Sequence, residues 1–141
     1  MSAQPKMARV ILVDDHPDVL RQTMQVVPER FEVVGGSEDG SQLLKAVREL
    51  QPDLLVLDIT LSSVCGIDLA RRLRAGGCTT RIVFLTAHAD SDYAYAAFQA
   101  GALGYVVKPR LATDLVPALD AAMDGRTFVS PCAELLDFEP P

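Results

Sequence analysis

The sequence predicts an α/β fold, a doubly wound five-stranded parallel sheet with five helices. Three observations carry this. Short apolar runs alternate with amphipathic stretches five times over roughly 120 residues, the pattern of βα units around a parallel sheet. Val10-Ile11-Leu12-Val13 and Leu54-Leu55-Val56-Leu57 are continuous rather than alternating, as strands covered on both faces require. A length of 141 residues, 49% of them apolar and 23% charged, suits one globular domain and excludes disordered, collagenous and coiled-coil chains. Five units suit an open sheet rather than a closed eightfold barrel.

The elements follow in order. The run Val10–Val13 ends at acids. Pro17 then opens a first helix whose apolar positions include Val19, Leu20, Met24 and Val27. Phe31–Gly35 reads as the second strand. In Ser41–Leu50, Leu43, Leu44, Val47 and Leu50 recur at helical spacing. Pro52 and Asp53 punctuate before the third strand, Leu54–Leu57. Gly66–Arg74 is the third helix, closed by Gly76-Gly77. Arg81–Leu85 is the fourth strand, Asp90–Ala100 the fourth helix and Leu103–Val107 the fifth strand. Leu111–Met123 is the last helix, with Gly125 as its stop and Pro117 expected to kink or break it. This assigns residues 1–126 to one domain and 127–141 to a C-terminal tail or the start of a linker.

Composition also bounds function. The net charge of −6 argues against nucleic acid contact from this segment. Cys65, Cys78 and Cys132 make neither a disulfide framework nor a zinc signature, which suits a reducing cytoplasm. The opening Met-Ser-Ala-Gln-Pro-Lys carries no secretory signal, and no uncharged apolar run approaches a membrane span. A cytoplasmic, non-membrane location is expected.

In an open α/β sheet, ligands bind outside the carboxyl ends of the strands. The residues there are Asp14 and Asp15, Asp58, Thr86 and Lys108. In the flavodoxin-like strand order 2-1-3-4-5, strands one and three lie about 4.8 Å apart, so the three acids cluster. Carboxylates this close need a cation or raised pKa values. All-oxygen ligands with water access favour Mg²⁺. An ionised carboxylate beside such an ion can attack a phosphoryl group while the metal and a lysine neutralise its oxygens. Asp58 is the nucleophile candidate, Asp14 and Asp15 hold the metal, and Lys108 is the ion pair. One acid after a strand is usually an N-cap or turn former. Acids, hydroxyl and ammonium at four strand ends together are not ordinary.

These residues resemble the receiver domain of bacterial two-component response regulators, from about Ala8 to Arg126. The matching pieces are Val-Asp14-Asp15-His16, Leu-Val-Leu-Asp58, Thr86-Ala87 and Gly-Ala-Leu-Gly-Tyr105-Val-Val-Lys108-Pro109. They look most like receivers that precede a helix-turn-helix DNA-binding domain. The resemblance implies that Asp58 is the phosphoacceptor. It implies that Asp15, Asp58 and the Thr60 carbonyl ligate Mg²⁺ and that Asp14 acts through water. Lys108 then pairs with the phosphoryl group, and the Lys108–Pro109 bond is usually cis in this family. Beside Asp58, Thr86 reads as a switch hydroxyl, with Tyr105 as its rotameric aromatic partner. The sequence departs from the family after Asp58. Met-Pro, an acid and Gly are usual there, and Leu61-Ser62-Ser63-Val64-Cys65-Gly66 keeps only the glycine. The implied function is a signalling phosphoacceptor rather than an enzyme, one that assists its own phosphorylation and dephosphorylation. Its donor is a sensor histidine kinase, and its output is transcriptional regulation through a domain outside this chain.

Alternatives stay open at this point. A stand-alone receiver would act by protein–protein contact. A haloacid-dehalogenase-type phosphatase would need a second acid two residues after Asp58, where Thr60 stands. A flavin binder would offer hydroxyls and glycine to phosphate, where Asp14-Asp15 would repel it. His88 reads first as an exposed loop histidine, and Arg71, Arg72, Arg74 and Arg81 as a solvated helix face. From Tyr93 through Val107, 15 consecutive residues are uncharged. With Ala94, Ala97, Phe98 and Gly101 facing the core, Tyr95, Ala96 and Gln99 point outward as an interface for a phosphorylation-dependent homodimer or a partner.

Overall fold

The structure is a computed structural model that describes residues 7–37, 40–62 and 64–141. The opening hexapeptide and Ser63 lie outside the described residues. The strands are β1 (Ala8–Val13), β2 (Phe31–Ser37), β3 (Leu54–Leu57), β4 (Arg81–Thr86), β5 (Gly104–Val107) and β6 (Phe128–Val129). The helices are α1 (Pro17–Val26), α2 (Leu43–Leu50), α3 (Gly66–Ala75), α4 (Ser91–Gln99) and α5 (Leu111–Met123). The sheet order is β2-β1-β3-β4-β5-β6, and every pairing is parallel.

Successive strand residues divide between two cores because side chains alternate across a pleated strand. Ile11, Val13, Leu55, Leu57, Ile82, Phe84, Tyr105 and Val107 face α2, α3 and α4. Val10, Leu12, Leu54, Val56, Val83, Leu85 and Val106 face α1 and α5. Both faces are covered, which explains why the central strands are continuous apolar runs rather than alternating ones.

The sheet has six strands, not five. Residues 127–141 contain the sixth: Gly104 pairs with Phe128 and Tyr105 with Val129. Ser130, fully buried, donates its N–H to the Tyr105 carbonyl at 2.9 Å and accepts the Val107 N–H on Oγ at 3.1 Å. Two residues are too few to show a strand period, so the sequence signal there is lost among its turn formers. Beyond β6, Leu135 is buried and the Phe138 ring stacks on Phe98 of α4, centroids 5.9 Å apart.

Other departures are local. Gly40–Gln42 forms a 3₁₀ turn, so the second helix proper starts at Leu43 rather than Ser41. Met24 is 57% exposed because α1 turns Val19, Leu20, Thr23 and Val26 inward instead. Helix α5 runs unbroken through Pro117, whose ring lies exposed on the solvent side and displaces no packing. The described residues hold no cis peptide bond, so Lys108–Pro109 is trans. Lys108–Arg110 is a 3₁₀ turn leading into α5, and a helical path through Pro109 requires the trans bond.

Candidate functional site

Asp14 follows β1, Asp58 follows β3, Thr86 ends β4 and Lys108 follows β5, so four strands deliver their terminal residues to one edge. The Asp58 N–H donates to the Val13 carbonyl at 3.0 Å, extending the β1–β3 ladder one step and setting Asp58 beside Asp14. Both acids are 3% exposed, and Asp15 is half-buried.

Lys108 binds this pair together. Its Nζ lies 2.9 Å from Asp58 Oδ2 and 2.9 Å from Asp14 Oδ2. Burial alone would lower the pKa of this ammonium. The hydrogen bonds and charges of Asp58 and Asp14 outweigh that and hold it above the ordinary lysine value. The lysine is therefore a permanent cation here.

One cation does not satisfy three carboxylates. Asp14 Oδ2 and Asp15 Oδ1 are buried, the first in ion-pair contact with Lys108 Nζ at 2.9 Å and the second with His16 Nδ1 at 3.0 Å. Single ligand atoms from Asp14, Asp15, His16 and Asp58 all lie within 4.8 Å of one another. Carboxylate oxygens gathered at this spacing are the donor set of a hard cation, and they fit one.

Two histidines enlarge the site beyond the sequence reading. His16 Nδ1 stands 3.0 Å from both Asp14 Oδ1 and Asp15 Oδ1, and its N–H donates to Asp14 Oδ1 at 2.9 Å. Its signal in the sequence was adjacency to the acid pair. His88 is half-buried rather than an exposed loop residue. Its Nε2 lies 2.6 Å from Thr60 Oγ1, and its ring stacks on Tyr93 at 4.2 Å. The bond to Thr60 crosses between the loops after β3 and β4, and spacing along one loop could not reveal it.

The other expected residues take distinct places. Thr86 is fully buried, and its Oγ1 accepts the His88 N–H at 3.2 Å. Tyr105 is also fully buried, and its hydroxyl donates to the His88 carbonyl at 2.6 Å. Burial pushes its phenol well above the usual range, so it stays protonated and a donor. Thr86 and Tyr105 thus grip the same backbone residue from two sides. Thr60 receives a long 3.4 Å contact, its N–H donating to Asp58 Oδ1. The loop after it folds back through a Thr60–Cys65 bridge, and the Gly66 N–H donates to the Ile59 carbonyl at 2.6 Å. On α4, Tyr95 and Gln99 are exposed, the Gln99 amide donating to the Tyr95 hydroxyl at 2.8 Å. Ala96 is half-buried and turns instead toward a small groove shared with Cys65, Ile67 and Tyr93. The three residues do not share one outward face.

Comparison with known proteins places this geometry. The family model of the response regulator receiver domain matches residues 10–120. The virulence-factor transcription regulator BvgA of Bordetella pertussis is 36% identical over 122 residues, 85% of this chain and 58% of its own length. The chain therefore spans less than two thirds of that relative. A two-component response regulator of the LuxR family from Aurantimonas sp. SI85-9A1 superposes with a TM-score of 0.83 at 38% identity. That match covers 89% of this chain and 91% of the other. A structure of two RcsB dimers bound to two parallel DNAs matches with a TM-score of 0.76 at 29% identity, covering 86% of this chain and 63% of that one.

Proposed function

We propose that this chain, which belongs to the response regulator receiver domain family, accepts a phosphoryl group on Asp58 from a sensor histidine kinase. The observation that carries the reading is the Lys108 ammonium held 2.9 Å from both Asp58 and Asp14, with Asp15 gathered beside them. A carboxylate ion-paired to a fixed lysine where the strands end is placed to act as a nucleophile. An Asp58 oxygen attacks phosphorus, the acyl phosphate bond forms, and the donor nitrogen–phosphorus bond breaks as the donor imidazole leaves. Asp15, Asp58 and the Thr60 carbonyl would hold Mg²⁺, with Asp14 acting through water. When bound, the ion supplies charge neutralisation to the phosphoryl oxygens. Lys108 moves its interaction from the carboxylate to the new phosphoryl oxygen.

The same contacts suggest the readout. Thr86 Oγ1 accepts one hydrogen bond and has its own proton to donate. A phosphoryl group brings about −1.5 to −2 charge and three acceptor oxygens. Donation by Thr86 to one of them is worth roughly 1.5–3 kcal/mol. It would draw Thr86 away from the His88 N–H and disturb the backbone that Tyr105 also holds. The displaced segment leads into α4, whose Tyr95 and Gln99 we assign to a homodimer or partner contact that strengthens on phosphorylation. Transcriptional output through a separate DNA-binding domain fits this reading, since one relative is named a transcription regulator and another is solved as dimers bound to DNA.

Acetyl phosphate with Mg²⁺ should leave one acid-stable, hydroxylamine-labile phosphoryl group on the chain, seen by intact-mass measurement. Asp58→Asn should abolish it while leaving the fold intact, because the amide is isosteric but not nucleophilic. Full labelling of that variant, or steady turnover of phosphate esters by the wild type, would remove Asp58 from this role.

A further inference from the structure

The arginines sort by partner, and the sorting points to a second site. Arg21, Arg30, Arg71, Arg110 and Arg126 each pair with an aspartate. Arg9 donates to the Leu50 and Gln51 carbonyls, and Arg74 to those of Cys78 and Gly101. Arg48, Arg72 and Arg81 alone have guanidinium groups with no hydrogen-bond or ion-pair partner among the described residues. All three line one groove of about 540 Å³. It lies at the edge opposite Asp58, where α2 and α3 end and β3 and β4 begin.

The groove has the parts of a ligand site. Arg48 comes from α2, Arg72 from α3 and Arg81 from the start of β4, so three separate elements bring cations to one concavity. Its one lining carboxylate, Asp53, already accepts the Arg9 N–H on Oδ2 at 2.9 Å. Three cations against one anion stand out on a chain of net charge −6. The buried side chains of Val47 and Leu73 add an apolar surface. Gly77, at a φ of +82°, leaves the rim open, with nothing within 4 Å of where a side chain would start.

We propose that this groove binds a phosphorylated small molecule, its phosphate groups held by Arg48, Arg72 and Arg81 and its apolar body resting on Val47 and Leu73. Guanidinium forks match phosphate oxygens in pairs. The volume falls within the roughly 300–1,000 Å³ of small-ligand sites. Charge gathered from three elements into one hollow suits a compact polyanion better than an extended acidic segment. Binding here is independent of the chemistry at Asp58.

The test is a titration of the ¹⁵N-labelled 141-residue chain, in EDTA, with pyrophosphate and with ADP. The amide signals of Gly76, Gly77, Thr79 and Thr80 should move and saturate, with ADP the tighter ligand because pyrophosphate has no apolar body. Arg72→Gln and Arg81→Gln should each weaken binding roughly tenfold or more. Arg71→Gln, which changes an aspartate-paired arginine on the same helix, should leave it unchanged. Shifts that never saturate, that survive both groove substitutions or that appear only around Lys108 would overturn the proposal. So would displacement of ADP by a poly-glutamate peptide at lower concentration, which would give the groove to an acidic protein segment.

Discussion

At Gly66 a side chain has nowhere to go. A Cβ there would run into the Asp58 carbonyl oxygen and lie 3.0 Å from the Ile59 Cα. Backbone, not a flexible side chain, would have to yield. Gly66→Ala should therefore cost roughly 1–3 kcal/mol of stability and slow acetyl phosphate labelling, because the displaced atoms belong to Asp58, the proposed nucleophile. Thermal unfolding alongside labelling kinetics checks both, and an unchanged labelling rate would contradict the geometry. The loop after Asp58 keeps this one residue of the family pattern, and the steric contact accounts for its being glycine. The acids, Thr86 and Lys108 were legible because strand ends must converge on one edge. The contacts of His88 were not: the bond to Thr60 joins residues 28 apart in sequence, and the stacking on Tyr93 depends on side-chain orientation.

Among the elements, α4 connects the site to the surface. Its inner face, Ala94, Ala97 and Phe98, is buried as helical spacing indicated, whereas Gly101, expected with them, lies past the helix end and is only half-buried; Tyr95 stands 51% exposed opposite. Beryllofluoride with Mg²⁺ should promote dimerisation or partner binding in sedimentation experiments, and Tyr95→Asp should impair it by placing a charge at the contact. If beryllofluoride leaves wild type and variant equally monomeric, and partner affinity ignores residue 95, α4 transmits nothing through this tyrosine. Helix periods carried the elements well: α5 begins and ends where its pattern indicates. Short pieces escaped. The turn at Gly40–Gln42 and strand β6 are each too brief for a period, and tertiary hydrogen bonds define the latter.

For the molecule as a whole, Asp114 ties α5 to the segment after β6. It accepts from Arg110 at 2.7 Å and from Thr113 at 3.0 Å, and Ser130 adds a further bond. Burial would raise its pKa, but these donors and the Arg110 charge outweigh it and hold the carboxyl below its ordinary 3.8. A depressed carboxylate stabilises the fold above its unfolded pKa and loses that contribution as pH falls through the folded value. Asp114→Asn should thus cost roughly 1.5–3 kcal/mol at neutral pH and flatten the loss of stability below about pH 4. Melting temperatures across an acid series, with wild type and variant in parallel, measure it. An equally steep acid limb in the variant would place the effect elsewhere.

The sheet order has a consequence for how the chain is made. After β1 and β2 pair, β3 joins the free side of β1, and β4, β5 and β6 each join the strand just before them. The sheet can therefore grow outward in the order of translation, each newly emerged strand finding its neighbour already in place. Synthesis at roughly 5–20 residues per second is slow beside strand pairing. Ribosome-stalled chains ending after α3 should already protect β1 and β3 from hydrogen exchange. Each intermediate keeps β2 as one edge, while the other edge passes from strand to strand until it rests on the two residues of β6, Phe128 and Val129.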